Sequence, residues 1–270
     1  MKIIIGSNTF GNYHRQNIAV DSWKHLANEF DCVECVDIQL KGDPSHNYGI
    51  SSLSALDRHS GDIVSDSEKR LPFVNDVLKV LLTMDCDYFI YVNSDVIINS
   101  NLIKHIVNNE PGSFACSRLD IQHIDSFSQV LDKKVTPVRY EIAGFDVFIF
   151  KRSWMQDNID LFQDYLIGQP HWDQSYATII KIFGGNEPFG NNYPPFCFHI
   201  KHGMTWQREK SVERAFNHEC SKRPLDRLSI SIFNDYLDKV LTRRQPYGTF
   251  INPVKNERDI ECNFWRKFTS

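Results

Sequence analysis

Asp87-Tyr88-Phe89-Ile90-Tyr91-Val92-Asn93-Ser94-Asp95 carries the clearest fold signal in the chain. Tyr88 to Val92 are all β-branched or aromatic, the composition of a buried strand, and they run straight into three polar residues. In an open α/β sheet, ligands gather outside the carboxyl ends of the strands. Asn93-Ser94-Asp95 therefore stands where a carboxylate can face a metal-bound phosphate. Asp95 could equally terminate the strand or cap a helix starting near Asn99.

Upstream, Lys2 to Gly6 reads as a short buried strand that ends in the polar turn Ser7-Asn8-Thr9-Phe10-Gly11. Ile18, Trp23, Leu26 and Phe30 follow helical spacing. Val33 to Leu40 predicts a second strand, followed by a loop to about Asp66. Leu71 to Thr83 predicts an amphipathic helix with Pro72 in its first turn. Downstream, the expected elements are a helix at 101–108, strands at 113–119 and 147–150, helices at 161–166 and 174–183, and a strand at 196–200. Strands alternating with helices predict an α/β fold, a mostly parallel mixed sheet flanked by helices. After Gly203 the rhythm breaks, and Leu228 to Leu241 predicts one amphipathic helix. We expect one domain over 1–205 and a helical C-terminal extension over 206–270 packed on it.

Composition sets the outer limits. Of 270 residues, 41% are hydrophobic and 24% charged, ordinary for a globular chain, and 19 Phe with 10 Tyr promise a substantial core. Disorder is therefore not a major expectation. A net charge of −4 gives no global signature for nucleic acid. The charge is uneven: from Lys201 on there are 14 Lys and Arg against 9 Asp and Glu, leaving 16 against 25 before it. Arg208, Lys210, Arg214, Lys222, Arg223, Arg227, Arg243 and Arg244 make that tail a candidate for holding a polyanion, even modified DNA; uneven surface charge is the plainer reading. Cys32-Val-Glu-Cys35 has no second pair to complete a zinc site and lies in a strand-like stretch, so the seven cysteines read as reduced thiols. The apolar run after Met1 is too short for a signal peptide, and no run approaches the roughly 20 residues of a membrane span. The expectation is a soluble, cytoplasmic protein.

Three further stretches carry chemistry. Phe198-His199-Ile200-Lys201-His202 places His199 and Lys201 on one strand face, so His199 or His202 could complete a metal site and Lys201 could neutralise phosphate. Trp172-Asp173 precedes a helix, where an Asp is ordinarily an N-cap. Gly144-Phe145-Asp146 enters a strand, with the glycine allowing close approach and Asp146 facing the same rim.

Taken in order, Asn93-Ser94-Asp95, Gly144-Phe-Asp-Val-Phe-Ile-Phe150, Ile167-Gly-Gln-Pro-His-Trp-Asp173 and His199-Ile-Lys-His202 resemble the GT-A nucleotide-sugar glycosyltransferases. The likeness is to bacterial and viral members with a G-D-hydrophobic-F strand, an I-G-x-P-x-W-D turn and an H-x-x-H tail, and it spans residues 2–205 or so. It implies a GT-A, Rossmann-like sheet and a nucleoside-diphosphate-sugar donor held with Mn²⁺ or Mg²⁺. Asn93-Ser94-Asp95 would be the DxD element, with Asp95 the metal ligand; Asn93 departs from the pattern, which implies a weaker metal affinity. Ser7, Asn8 and Thr9 would hold nucleobase and ribose, with Arg15 nearby. Asn75 and Asp76 would contact nucleotide or donor sugar, or else form a solvated helix face. His199 or His202 would be the late metal or diphosphate ligand, with Lys201 assisting. Asp173 would be general base or donor-sugar anchor, with Asp146 the second choice for base. The implied reaction is metal-assisted transfer of a sugar to an acceptor hydroxyl, of a saccharide before a nucleic acid. The alternatives are a non-catalytic sugar- or nucleotide-binding module, favoured by Asn93, and a sugar-phosphate nucleotidyltransferase. Gly6 to Gly11 lacks the basic cluster that the latter usually shows.

Overall fold

All five residues of Tyr88–Val92 are buried, so this strand needs cover on both faces. The computed structural model describes residues 1–11, 13–43, 47–64, 66–184, 195–203 and 211–242. Its strands are β1 (Ile3–Ser7), β2 (Val33–Leu40), β3 (Ser51–Leu56), β4 (Tyr88–Val92), β5 (Val96–Ile98), β6 (Phe114–Ile121), β7 (Pro137–Lys151) and β8 (Cys197–Ile200). Its helices are α1 (His14–Glu29), α2 (Ser60–Ile63), α3 (Val74–Thr83), α4 (Ser100–Asn109), α5 (Ser128–Leu131), α6 (Arg152–Asn158), α7 (Trp172–Ile182), α8 (Val212–Cys220) and α9 (Pro224–Thr242), with one 3₁₀ turn at Ile159–Leu161. The strands form one mixed sheet in the order β3-β2-β1-β4-β7-β6-β8-β5. β7 pairs antiparallel with β4 and β6, and β5 antiparallel with β8; the other pairs are parallel. The α/β class expected from the sequence is the class adopted.

Alternation along the strands builds two cores. Ile3, Ile5, Tyr88, Ile90 and Val92 pack under α1 and α4, with Trp23, Leu26, Leu102 and Ile106. Ile4, Phe89, Tyr91, Phe148 and Phe150 pack under α3 and α7, with Val77, Leu81, Trp172 and Tyr176. Gly6 continues the second series, and a Cβ built on it would lie 2.4 Å from Leu81 Cδ2. Close approach of α3 to β1 therefore depends on this glycine. Gly6→Ala is expected to cost about 1–3 kcal/mol by overpacking, read by urea unfolding, with the double variant Gly6→Ala/Leu81→Ala losing less than the sum of the two singles.

The path from β4 to β5 bends the sheet. Four strand spacings in a flat sheet come to roughly 19 Å, while four Cα steps from Val92 to Val96 reach at most about 14 Å. The far side of the sheet must curl back over the end of β4. The tight turn, Val96 N–H to Asn93 O at 3.1 Å, makes the join. α1 then covers the free edge of β5: Trp23 Nε1 donates to Val96 O (3.1 Å) and Ile98 N–H to Ser22 Oγ (3.1 Å).

Several local expectations are corrected. The loop expected up to Asp66 contains β3, whose residues Ser51 to Ser54 are exposed on the sheet edge and so carry no apolar alternation. β5 is three residues long, too short to show a period. The helix expected at 161–166 lies upstream, in α6 and the 3₁₀ turn. Leu166 instead bridges to Phe73, with Val74 N–H on Tyr165 O (2.9 Å) and Ile167 N–H on Pro72 O (3.0 Å). Those pairings also keep Leu71–Phe73 out of the helix, which begins at Val74. No helix among the described residues is long and apolar enough to cross a membrane.

Candidate active site at the carboxyl end of the sheet

β1, β4, β6 and β8 point the same way, so their carboxyl ends share one rim. The β5–β8 register sets Val96 opposite His199, and the β6–β8 register sets Asp120 opposite His199. Two pairings thus bring Asp95, Asp120 and His199 together from positions far apart in the chain.

His199 Nε2 lies 3.5 Å and His202 Nε2 3.4 Å from Asp95 Oδ2, and the two Nε2 atoms are 3.1 Å apart. Each ring presents its other nitrogen to an acceptor: His199 Nδ1 to Asp120 Oδ1 (3.1 Å) and His202 Nδ1 to Gly203 O (2.9 Å). Carboxylate and carbonyl partners of this kind fix a ring tautomer and aim the free nitrogen at a metal. The three inward atoms lie within 4.8 Å of one another. Two imidazole nitrogens and a carboxylate oxygen meeting at one point need a cation between them, a proton or a metal. Burial opposes charge on His199, but its bonds to Asp120 and Asp95 outweigh burial and raise it to about 9. Asp95 is held far below the usual carboxylate range: the two histidines overcome the cost of burial. Asp120, buried but bonded to His199 and Arg118, is held down at about 2. The donor set fits a divalent ion, and imidazoles favour Mn²⁺ over Mg²⁺, which prefers oxygen ligands.

Asp120 and Arg118 were not singled out in the sequence, although Arg118 and Asp120 two apart in an apolar strand are a legible sign of a polar face. Arg118 Nε donates to Asp120 (3.0 Å), and its Nη1 pairs with Asp146 Oδ2. Arg139 Nε reaches the other Asp120 oxygen at 3.3 Å. This chain of alternating charge ties the metal-like centre to Asp146.

Asn93 stands outside the triad. Its Nδ2 donates to Asp146 Oδ1 at 2.5 Å, and its Oδ1 accepts from Tyr91 Oη at 3.4 Å. An aspartate here would set two carboxylates in contact, so the amide is the residue the site demands. Asn93→Asp is expected to cost about 1–3 kcal/mol at pH 7.5. One acid of the new pair would have its pKa raised, so the loss should shrink as pH falls toward 5, read by urea unfolding at both pH values. Tighter Mn²⁺ binding in this variant would instead make Asn93 a weakened metal ligand.

Asp173 sits in the first turn of α7, where the N-cap is His171 and not the aspartate. Its Oδ2 accepts from Phe145 N–H at 3.3 Å. Burial, with Asp146 adding its charge, pushes the Asp173 carboxyl up to about 7. Asp146 is already engaged by Asn93 and Arg118.

The other expected residues divide. Arg15 Nε lies 3.9 Å from Asp95 Oδ2 and is buried with no hydrogen-bond partner among the described residues. The Ser94 hydroxyl is 2.7 Å from the Gln16 side-chain amide. Ser7 Oγ donates to Val92 O (2.7 Å), and Asn8 Nδ2 to Ile38 O (2.6 Å). Asn8 Oδ1 is buried without a partner among the described residues. Thr9 gives both its N–H (3.0 Å) and hydroxyl (2.8 Å) to Asp37, which Gln39 also reaches. Asp37 and Gln39, again two apart in a strand, were missed. Asn75 and Asp76 stand at the start of α3: Arg58 grips Asp76 through Nε and Nη2 and Asp164 through Nη1 and the shared Nη2, and Asn75 Nδ2 lies on Asp164 at 3.3 Å. Lys201 is exposed just past β8, its backbone N–H on Ile121 O (2.9 Å). In the basic tail, Lys222 pairs with Glu219 (2.5 Å) and Arg223 with Gln163 (2.9 Å); Arg208, Lys210, Arg243 and Arg244 lie outside the described residues.

No protein-family model matches the sequence, and no curated protein matches it. Among solved structures, the chain is similar to S. aureus TarS 1–349 in complex with UDP-GlcNAc, at 13% identity and a TM-score of 0.47, over 97% of this chain and 78% of that one. It is also similar to the mannosyltransferase PcManGT from Pyrobaculum calidifontis in complex with GDP-Man and Mn²⁺, at 11% identity and a TM-score of 0.41, over 99% of this chain and 86% of that one.

Proposed function

We propose that this chain transfers a sugar from a nucleoside-diphosphate-sugar to an acceptor hydroxyl, assisted by a divalent metal held by Asp95, His199 and His202. One observation carries the reading: three ligand atoms converge at the carboxyl end of the sheet, with both histidines oriented from behind by acceptors. Bound there, the ion would supply Lewis-acid neutralisation of charge on the leaving nucleoside diphosphate.

The remaining work falls to the chain itself. Arg15, whose buried Nε faces Asp95 at 3.9 Å and has no hydrogen-bond partner among the described residues, can pair with a phosphate oxygen. Ser7, Asn8 and Thr9 line the end of β1, and the Asn8 oxygen, without a partner among the described residues, is an acceptor for a nucleobase N–H. An acceptor hydroxyl has a high pKa and must lose its proton as it attacks. Asp173, at about 7, is matched to take it near neutral pH. An inverting displacement needs such a base, whereas a retaining one does not. Asp146, clamped by Asn93 and Arg118, suits holding the frame better than proton transfer. Asn93 bonded to Asp146 supports the enzyme reading over a non-catalytic module. We take the acceptor to be a saccharide hydroxyl.

The test is thermal stability against UDP, GDP, UDP-glucose, UDP-GlcNAc and GDP-mannose, each with and without Mn²⁺. A ligand present at about 100 times its dissociation constant adds roughly 2.7 kcal/mol. We expect a Mn²⁺-dependent rise in melting temperature with one nucleotide. A flat response across the panel would leave the chain without a donor site and sink the reading.

A further inference from the structure

The turn that delivers Asp173 is an awkward piece of backbone. Gly168 and His171 both have left-handed conformation, φ +74 and +83, and for His171 that conformation is strained. Such a turn persists only where its surroundings over-determine it. Its start is paired with the Pro72–Val74 segment, and the rest of the hold comes from the C-terminal helices. Asn217 on α8 is fully buried. Its Oδ1 accepts from Leu166 N–H (2.9 Å), while its Nδ2 donates to Leu166 O (3.1 Å) and Pro170 O (3.2 Å). One amide thus uses its whole donor capacity on the two ends of the turn. The rings of His171 and its α8 neighbour His218 are 5.5 Å apart. α9 holds the next residues: Ser175 Oγ donates to the buried Asp226 at 2.9 Å.

We propose that Asn217 is the positioning residue for Asp173: its side chain, reaching from α8, holds the 166–171 turn so that the carboxyl is presented to the rim of the sheet. The role gives the C-terminal helices a part in the site by way of the turn they hold. It rests on the reading of Asp173 as the base. The groups facing Asp173 are Asp146 and the Phe145 N–H on β7, with Arg118 of β6 and Glu141 of β7 gathered around Gly144 beside it. His171, with His218 and Arg214 acting on it, stands on the turn side. Loosening the turn admits water to the carboxyl and moves it away from Asp146, and both changes favour ionisation.

The experiment is ¹³C NMR titration of aspartate side-chain carboxyls in the full chain, with the Asp173 signal assigned by its absence in Asp173→Asn. In the parent the Asp173 midpoint is expected near 7. In Asn217→Ala it is expected to fall by about one unit or more toward the ordinary carboxylate range, with circular dichroism and cooperative melting retained. An unmoved midpoint in the folded variant overturns the assignment and leaves Trp172 packing as sufficient to hold the turn. Should the alanine variant fail to fold, Asn217→Ser, which adds no charge and is too short to reach both ends of the turn, is read the same way. The titration needs neither donor nor acceptor. Failure of the transferase reading in a turnover assay is therefore distinct from failure of this one.

Discussion

Asp95→Ala is expected to abolish the Mn²⁺-dependent binding of nucleotide and to lower turnover by about 10³-fold or more. Asp95 is the one carboxylate in the triad, and its oxygen is the point on which both imidazoles and Arg15 converge. On the proposed reading, its loss would leave two imidazoles, too few to hold a labile divalent ion firmly, and would remove the anchor opposite Arg15. Removing one preorganised electrostatic group commonly costs about 10²–10³ in rate, and loss of the metal adds to that. Calorimetric Mn²⁺ titration and nucleoside diphosphate release would both be read. Asp120→Asn, which weakens the hold on His199 and the pairing with Arg118 and Arg139 but keeps Asp95 and both imidazoles, should cost less, about 10–100-fold. An Asp95→Ala variant with unchanged turnover would remove the triad from the mechanism.

Asp173→Asn is expected to be more stable than the parent at pH 8 and nearly inactive. The asparagine keeps an acceptor for Phe145 N–H but cannot take a proton, so turnover should fall by about 10²–10⁴-fold. The stability change follows from linkage. In the folded chain Asp173 titrates near 7, above the usual carboxylate value of 3.8. The folded state therefore holds a proton that the unfolded state releases from about pH 4 upward. Stability from this group is present below that pH, declines as pH rises, and is lost once pH passes about 7. Full conversion of the shift would give about 4 kcal/mol; because the carboxyl keeps some contact with solvent, about 1–3 kcal/mol is the expected gain at pH 8. Near pH 4 the two proteins should melt alike. In the parent, the rate should drop about tenfold per pH unit below 7. A variant that gains stability while losing activity marks a group kept for function. Asp173→Asn with full activity would assign the carboxyl to donor-sugar anchoring or to no role at all.

The candidate site was legible to different depths. Asp95 could be read because it ends an apolar run, and His199 and His202 because two imidazoles flank a strand end. Arg118-Leu-Asp120 and Asp37-Ile-Gln39 carried a usable sign, polar residues two apart in strands that are otherwise apolar. Asn217 carried none. An asparagine in a helical pattern looks like any solvated position until a turn some fifty residues earlier in the chain is laid against it. β3 was missed because an exposed edge strand has no face to bury and so shows no alternation.

Side-chain periodicity alone marked most of the buried strands and amphipathic helices, though not β3, β5 or α6, and placed a carboxylate, two histidines and a late aspartate at element ends. Those features are local: they follow from side-chain periodicity, and periodicity is written in neighbouring residues. Which of these ends meet is a different matter. Asp95 and His199 come together because β5 pairs with β8 after the sheet curls, and Asp120 joins them because β6 lies on the other side of β8. The same arrangement turns Asn93 into a clasp on Asp146 and gives Asp173 its burial. Proton affinity and metal affinity depend on what lies within a few ångströms, and only the tertiary structure decides that.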